Sequence, residues 1–136
     1  LTWQMARDAE GMTKMVTLIV TGAASDAEAR IAAKAIAENN LVKCSWYGCD
    51  PYWGRLLAAA GSTGVAFDTA HSVVKYGGVT VAKCGAPVPH DTGAVKKHVG
   101  AQLIEIEIGL GIGTGTARTI GIDLGPGYIK ENSKTS

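Results

Sequence analysis

The chain has 136 residues, 46% of them apolar, with 13 Lys and Arg against 12 Asp and Glu. Such a length suits one domain, residues 1–136, with a core of its own. A formal net charge of +1 without a basic cluster excludes the broad field that draws proteins to nucleic acid or to an anionic membrane. No apolar run approaches the roughly 18 residues of a spanning helix, Leu1 opens no charged signal segment, and Cys44, Cys49 and Cys84 form no compact disulfide framework. The expectation is a soluble, cytoplasmic protein.

The chain opens with Leu1, Met5 and Ala9 at helical spacing, closed by Gly11. Glu10 then falls in the last turn, where the helix dipole disfavours an anion by a few tenths to about 1 kcal/mol. Either Arg7 or Lys14 neutralises it, or it faces the ammonium group of a ligand. Met15 to Thr21 follows as a strand, with Val16, Leu18 and Val20 on one face and Thr17, Ile19 and Thr21 on the other. Ser25 and Glu28 make a capping box for a helix running to about Glu38. Its core stripe is expected to be Ile31, Ala32, Ala35 and Ile36, with Arg30, Lys34 and Glu38 opposite. Asn39 and Asn40 stop it, and Leu41 to Tyr47 reads as a second strand showing Val42, Cys44 and Trp46 on one face.

Asp50 and Pro51 are suited to the N-cap and first position of a helix that continues through Leu56 to Ala60 and closes at Gly61. Ser72 to Tyr76 and Val79 to Ala82 flank the hairpin signal Gly77-Gly78. After a Pro-bearing loop, Asp91 or Thr92 caps a short helix to about Val99. Leu103 to Ile108 is a strand with Glu105 and Glu107 outward, and Thr114 to Asp123 reads as its partner strand. Tyr128 to Asn132 reads as an extended tail. The glycines from Gly109 to Gly115 lead into a strand rather than a helix N-terminus, so they are read as a hairpin connection and not as a nucleotide loop. The cysteines and His71, His90 and His98 match no common zinc spacing, and no metal is expected. Strands and helices mix without a strict repeating β-α-β order, which gives an α/β chain of the α+β type: a mixed β-sheet with packed helices.

Several of these stretches carry a resemblance. RDAEGMTK from Arg7, VTLIVTGAASDAEARIAAKAIAENNLVK after it, GCDPYWGRLLAAAG, and the closing IDLGPGYIKENSKTS are similar to ordered motifs of the ornithine acetyltransferase, or glutamate N-acetyltransferase, family often called ArgJ. The family's forms read RDGEGATK, VTGA and DPNWGR. Tyr52 stands where the family has Asn, which puts any polar contact of that Asn in doubt.

The match is to the C-terminal part of the family's β chain, and it implies part of a DmpA/ArgJ-like fold. In that family a precursor cuts itself, and the Thr released at the start of the β chain carries the acetyl group from N-acetylornithine to glutamate in arginine biosynthesis. The resemblance implies that this nucleophile lies outside the chain and that the chain alone is inactive. It also implies that the partners are the α chain and the remainder of the β chain, in a hetero-oligomer. Glu10, Asn132 and Ser136, with Thr135 as the alternative to Ser136, match the family's substrate-binding positions. The ligands implied are N-acetylornithine, ornithine and glutamate. No cofactor is implied, and acetyl-CoA enters only as a substrate of a bifunctional enzyme. Two other readings are a non-catalytic amino-acid-binding module and a fragment related to self-processing aminopeptidases.

Overall fold

The computed structural model describes residues 14–123. Strand β1 (Met15–Ala23) leads to three consecutive helices, α1 (Asp26–Glu38), α2 (Asn40–Tyr47) and α3 (Gly54–Gly61). A short 3-10 turn (Thr69–His71) precedes β2 (Val73–Tyr76), β3 (Val79–Lys83) and the two-residue β4 (Ala86–Pro87). Helix α4 (Thr92–Val99), β5 (Leu103–Gly109) and β6 (Gly115–Ile122) complete the order. The six strands form one mixed sheet in the order β4-β3-β2-β5-β1-β6, with β1 and β5 parallel and the remaining pairs antiparallel.

Alternation along the central strands decides which face is covered. Val16, Leu18 and Val20 are fully buried, as are Ile106 and Ile108, with Ile104 nearly so. The register sets Val16 beside Ile104, Leu18 beside Ile106 and Val20 beside Ile108, so the parallel pair presents one continuous apolar surface. Val74 extends it across β2 by pairing with Ile108. Helix α1 packs on β1 and β6 and buries Ala29, Ala32, Ala33, Ile36 and Ala37. Four small residues in five let the helix backbone approach the sheet closely. On the opposite face Thr17, Ile19 and Thr21 are half-buried, beside Glu105, Glu107 and Gly109 of β5.

Strand β1, helix α1, the β2–β3 hairpin and α4 form where the sequence indicates. Ser25 Oγ accepts from Glu28 N at 3.1 Å, and Asp91, the first of the two residues considered, caps α4 by accepting from Ala94 N at 2.9 Å. The reciprocal half of the capping box is absent. Glu28 Oε1 instead accepts from Ala66 N at 3.1 Å, tying the loop after α3 to the start of α1. Within α1 the buried stripe is turned from the one expected: Ile31 is 50% exposed, while Ala29, Ala33 and Ala37 face inward.

Leu41 to Tyr47 is helix, not strand. Its apolar residues fit both periods, and the deciding feature is Asn39, whose Oδ1 accepts from Val42 N at 3.1 Å and so starts α2 directly after ending α1. Val42, Ser45 and Trp46 then share the buried face at helical spacing, while Cys44 points outward. Helix α3 begins at Gly54, three residues beyond the Asp50-Pro51 pair, and the residue before it makes no side-chain cap. Strand β6 does not pair with β5. Both edges of β5 are occupied, by β1 and by β2, and β6 crosses to the far edge of β1.

The glycine run makes that crossing. Leu110 N donates to Thr21 O (2.9 Å), while Ile112 N and Gly113 N both donate to Gly22 O (2.7 and 2.9 Å). The connection is therefore pinned over the end of β1, and Gly22 and Gly111 have positive φ of 68° and 73°.

Candidate functional site

Glu10, Asn132 and Ser136, and with them Arg7 and Thr135, lie outside the described residues. The residues that bracket them are described. Chain enters β1 at Lys14 and leaves β6 at Asp123, and the antiparallel register sets Met15 opposite Ile122. Beyond that pair, Lys14 N donates to Asp123 Oδ1 at 3.3 Å, and Asp123 N donates to Lys14 O at 3.4 Å. Both residues are buried, at 8% and 1% exposure. A buried ammonium needs acceptors, and Lys14 Nζ has them in Val99 O (2.7 Å) and Ala101 O (3.3 Å). Lys14 thus places its charge on the end of α4. Asp123 and Lys14 together lock the first and last strands side by side.

The segment Asp50 to Arg55 is built differently from a simple capped helix start. Cys49 has a φ of 55°, and Asp50 N donates to Ser45 O at 2.8 Å, folding the chain back on the end of α2. Tyr52 is 52% exposed and leans over Gly54, where an added Cβ would meet the phenol ring at 2.6 Å. Arg55 Nη1 donates to Leu41 O at 3.3 Å, which ties α3 to the first turn of α2. Trp53 packs partly buried against the core and Trp46 is 2% exposed within it.

Cys44, Cys49 and Cys84 are free and exposed. Among the described residues no group of three or more Cys, His, Asp or Glu side chains is close enough to hold a metal, and no helix is long and apolar enough to cross a membrane. One cluster went unseen in the sequence. Asp68 Oδ2 lies 2.6 Å from His71 Nδ1, and Asp68 Oδ1 accepts from Ala70 N at 3.0 Å. The hydrogen bond from His71 holds the Asp68 carboxyl below its ordinary pKa of 3.8, and the Ala70 amide adds to it. The only signal was an Asp and a His three residues apart, which is too common a spacing to single out. His71 also lines a cleft of about 420 Å³ on the half-exposed sheet face.

Comparison with known proteins places these features in a family. The ArgJ family model matches residues 1–136. The chain is 38% identical over 135 residues to the arginine biosynthesis bifunctional protein ArgJ of Gloeobacter violaceus, covering 98% of this chain and 33% of that protein. It is 41% identical over 133 residues to the protein of the same description from Mycobacterium tuberculosis, covering 98% of this chain and 32% of that one. The crystal structure of the arginine biosynthesis bifunctional protein ArgJ from Bacillus halodurans superposes with a TM-score of 0.89 at 35% identity, over 96% of this chain and 62% of that one. The chain spans about a third of the length of the curated relatives it matches. With the family model matching its whole length and the fold shared with a solved ArgJ structure, the chain belongs to the ArgJ family.

Proposed function

We propose that this chain is the C-terminal part of the β chain of a glutamate N-acetyltransferase of arginine biosynthesis, supplying half of the site that binds N-acetylornithine and glutamate. The acetyl group passes through an acyl-threonine whose hydroxyl belongs to a part of the enzyme outside this chain, so the chain alone recognises substrate without reacting with it. Glu10 meets the substrate's ammonium, and Asn132 with Ser136 holds its carboxylate or amide. The family's VTGA and DPNWGR motifs supply the sheet and helices on which those segments are mounted.

The observation that carries this reading is the pairing of the first and last strands. Glu10 stands four residues before Lys14, and Asn132 nine after Asp123, and Lys14 and Asp123 are hydrogen-bonded to each other. The points at which the chain joins the segments carrying Glu10 and Asn132, Lys14 and Asp123, are therefore at the same end of the same strand pair, which supports one site drawing on both. The relatives' names, which describe bifunctional proteins of arginine biosynthesis, support the reaction class.

The test supplies the α chain and the rest of the β chain, measures acetyl transfer from N-acetylornithine to glutamate, and compares the native chain with Glu10→Gln. Loss of a charge-assisted hydrogen bond to the ammonium raises KM for N-acetylornithine by about tenfold or more. An unchanged KM removes Glu10 from the site, and no transfer with the complete native assembly removes the reaction.

A further inference from the structure

A second site sits at the opposite end of the sheet from Lys14 and Asp123. From Lys14, just before β1, to Gly22 near its end the chain rises roughly 26 Å at the usual rise per residue, and at that far end the parallel strands β1 and β5 both finish. Carboxyl ends of neighbouring parallel strands are where open sheets commonly hold ligands, because the connecting loops part there. In this chain the cleft of about 420 Å³ opens at that place, lined among others by Thr21, His71, Lys75, Thr80, Lys83 and Glu107. Its volume is that of a small-molecule pocket.

The chemistry of the lining narrows the ligand. Lys75 and Glu107 lie opposite each other in the β2–β5 register and form an ion pair at 3.8 Å, so their charges largely answer one another. Lys83, opposite Val73 on β3, is within ion-pair distance of no carboxylate among the described residues, and it leaves one positive charge unmatched. His71 is fixed from two sides. Its backbone is packed so tightly on Gly111 that a Cβ there would meet His71 Cβ at 2.6 Å and His71 O at 2.8 Å. Its Nδ1 faces Asp68 Oδ2 at 2.6 Å, and Asp68 N in turn donates to Leu110 O at 2.9 Å. An ionised carboxylate at Nδ1 requires the proton to sit there, and in the neutral ring Nε2 is then a lone-pair acceptor.

We propose that this cleft binds a small hydroxy acid, with Lys83 Nζ on its carboxylate and its hydroxyl donating to His71 Nε2, in a site held ready by Asp68 and the Gly109–Gly111 turn. One unmatched cation and, while the ring is neutral, one acceptor call for a single anionic group and one adjacent donor in the same small molecule. The site is independent of the acetyl-transfer reading, since none of its residues lies in the segments assigned to that substrate.

Glycolate is the probe, and the His71 ring resonances are the reporter, identified as those missing from His71→Gln. The intact chain is titrated with glycolate and, in parallel, with acetate, which offers the carboxylate without the donor. Saturable shifts with glycolate are expected. Acetate is expected to bind about tenfold or more weakly, and Lys83→Gln to weaken glycolate by a similar factor. Lys83 is exposed, so its replacement leaves the fold intact, and Lys43→Gln on α2 serves as a charge-matched control that leaves binding unchanged. Non-saturating shifts overturn the site, as does glycolate binding insensitive to Lys83→Gln. Equal binding of acetate overturns the role given to His71.

Discussion

Gly121 lies in β6 opposite Val16, on the face that α1 covers. A Cβ built there would come within 2.7 Å of Cη2 and Cζ3 of Trp46, and 3.6 Å from the Ala37 methyl. Carbon atoms prefer about 3.5–4.0 Å, so Gly121→Ala pushes the indole back by nearly an ångström. Trp46 is 2% exposed, between α2 and a sheet whose Val16 is wholly buried, and has nowhere to go. Overpacking of this kind costs about 1–3 kcal/mol. The gain from replacing a strand glycine, roughly 0.5–1 kcal/mol, offsets part of it. The expected net loss is about 1–2 kcal/mol, measured as a fall in urea midpoint at constant m by far-ultraviolet circular dichroism.

Trp46→Phe removes the two clashing atoms and leaves a cavity, at a cost of about 1–3 kcal/mol. That cost is partly offset because the indole N–H has no hydrogen-bond partner among the described residues. In the double variant the alanine methyl fills the space the indole vacates. The double variant should therefore be more stable than the sum of the single losses by about 1 kcal/mol or more. If the two losses add to within about 0.5 kcal/mol, or if Gly121→Ala alone stabilises, Trp46 does not rest on Gly121 and the packing described for β6 is wrong.

Tyr76 is 1% exposed and its hydroxyl has no partner among the described residues. Burial, and after it the Asp50 charge, holds its phenol pKa well above the usual range. Tyr76→Phe should therefore raise stability, by up to about 1 kcal/mol, and a loss of that size in urea denaturation would reveal a partner for the hydroxyl. Asn39→Ala removes the side-chain acceptor for Val42 N and should cost about 1 kcal/mol, with the loss of helix signal concentrated in α2 by hydrogen exchange; equal protection of α2 amides in both proteins counts against the cap. The Asp68 carboxyl, depressed by His71, should titrate below 3.8 by carbon NMR and return toward 3.8 in His71→Gln. Because its folded pKa lies below the unfolded one, whatever it adds to stability is present above about pH 4 and is lost as pH falls through the depressed value. Identical midpoints in the two proteins would remove the bond as the cause.

Local signals in the sequence were enough to specify β1, α1, the β2–β3 hairpin, α4 and the outward Glu105 and Glu107, because alternation, a Ser or Asp cap and a Gly-Gly turn each act within a few residues. The same locality explains the resemblance to ArgJ, carried by short motifs in a fixed order. Leu41 to Tyr47 could not be settled locally: seven residues with apolar side chains at Leu41, Val42, Cys44, Trp46 and Tyr47 fit a strand or a helix equally, and the choice fell to Asn39 as a shared cap and to the buried face that Val42, Ser45 and Trp46 share. Nor could spacing reveal that Ile31 turns outward, since several alanines made two stripes of α1 almost equally apolar and contact with β6 chose between them. The largest decision left to tertiary structure was the placement of β6. A strand following β5 after the five-residue connection Leu110 to Thr114 would pair with it by default, yet β5 already has a neighbour on each side, so the chain crosses β1 and closes against its far edge. That crossing brings Asp123 to Lys14 and sets the Gly109–Gly111 turn under His71. Both candidate sites thus depend on backbone pairings between residues far apart in the chain, which no pattern of neighbouring residues encodes.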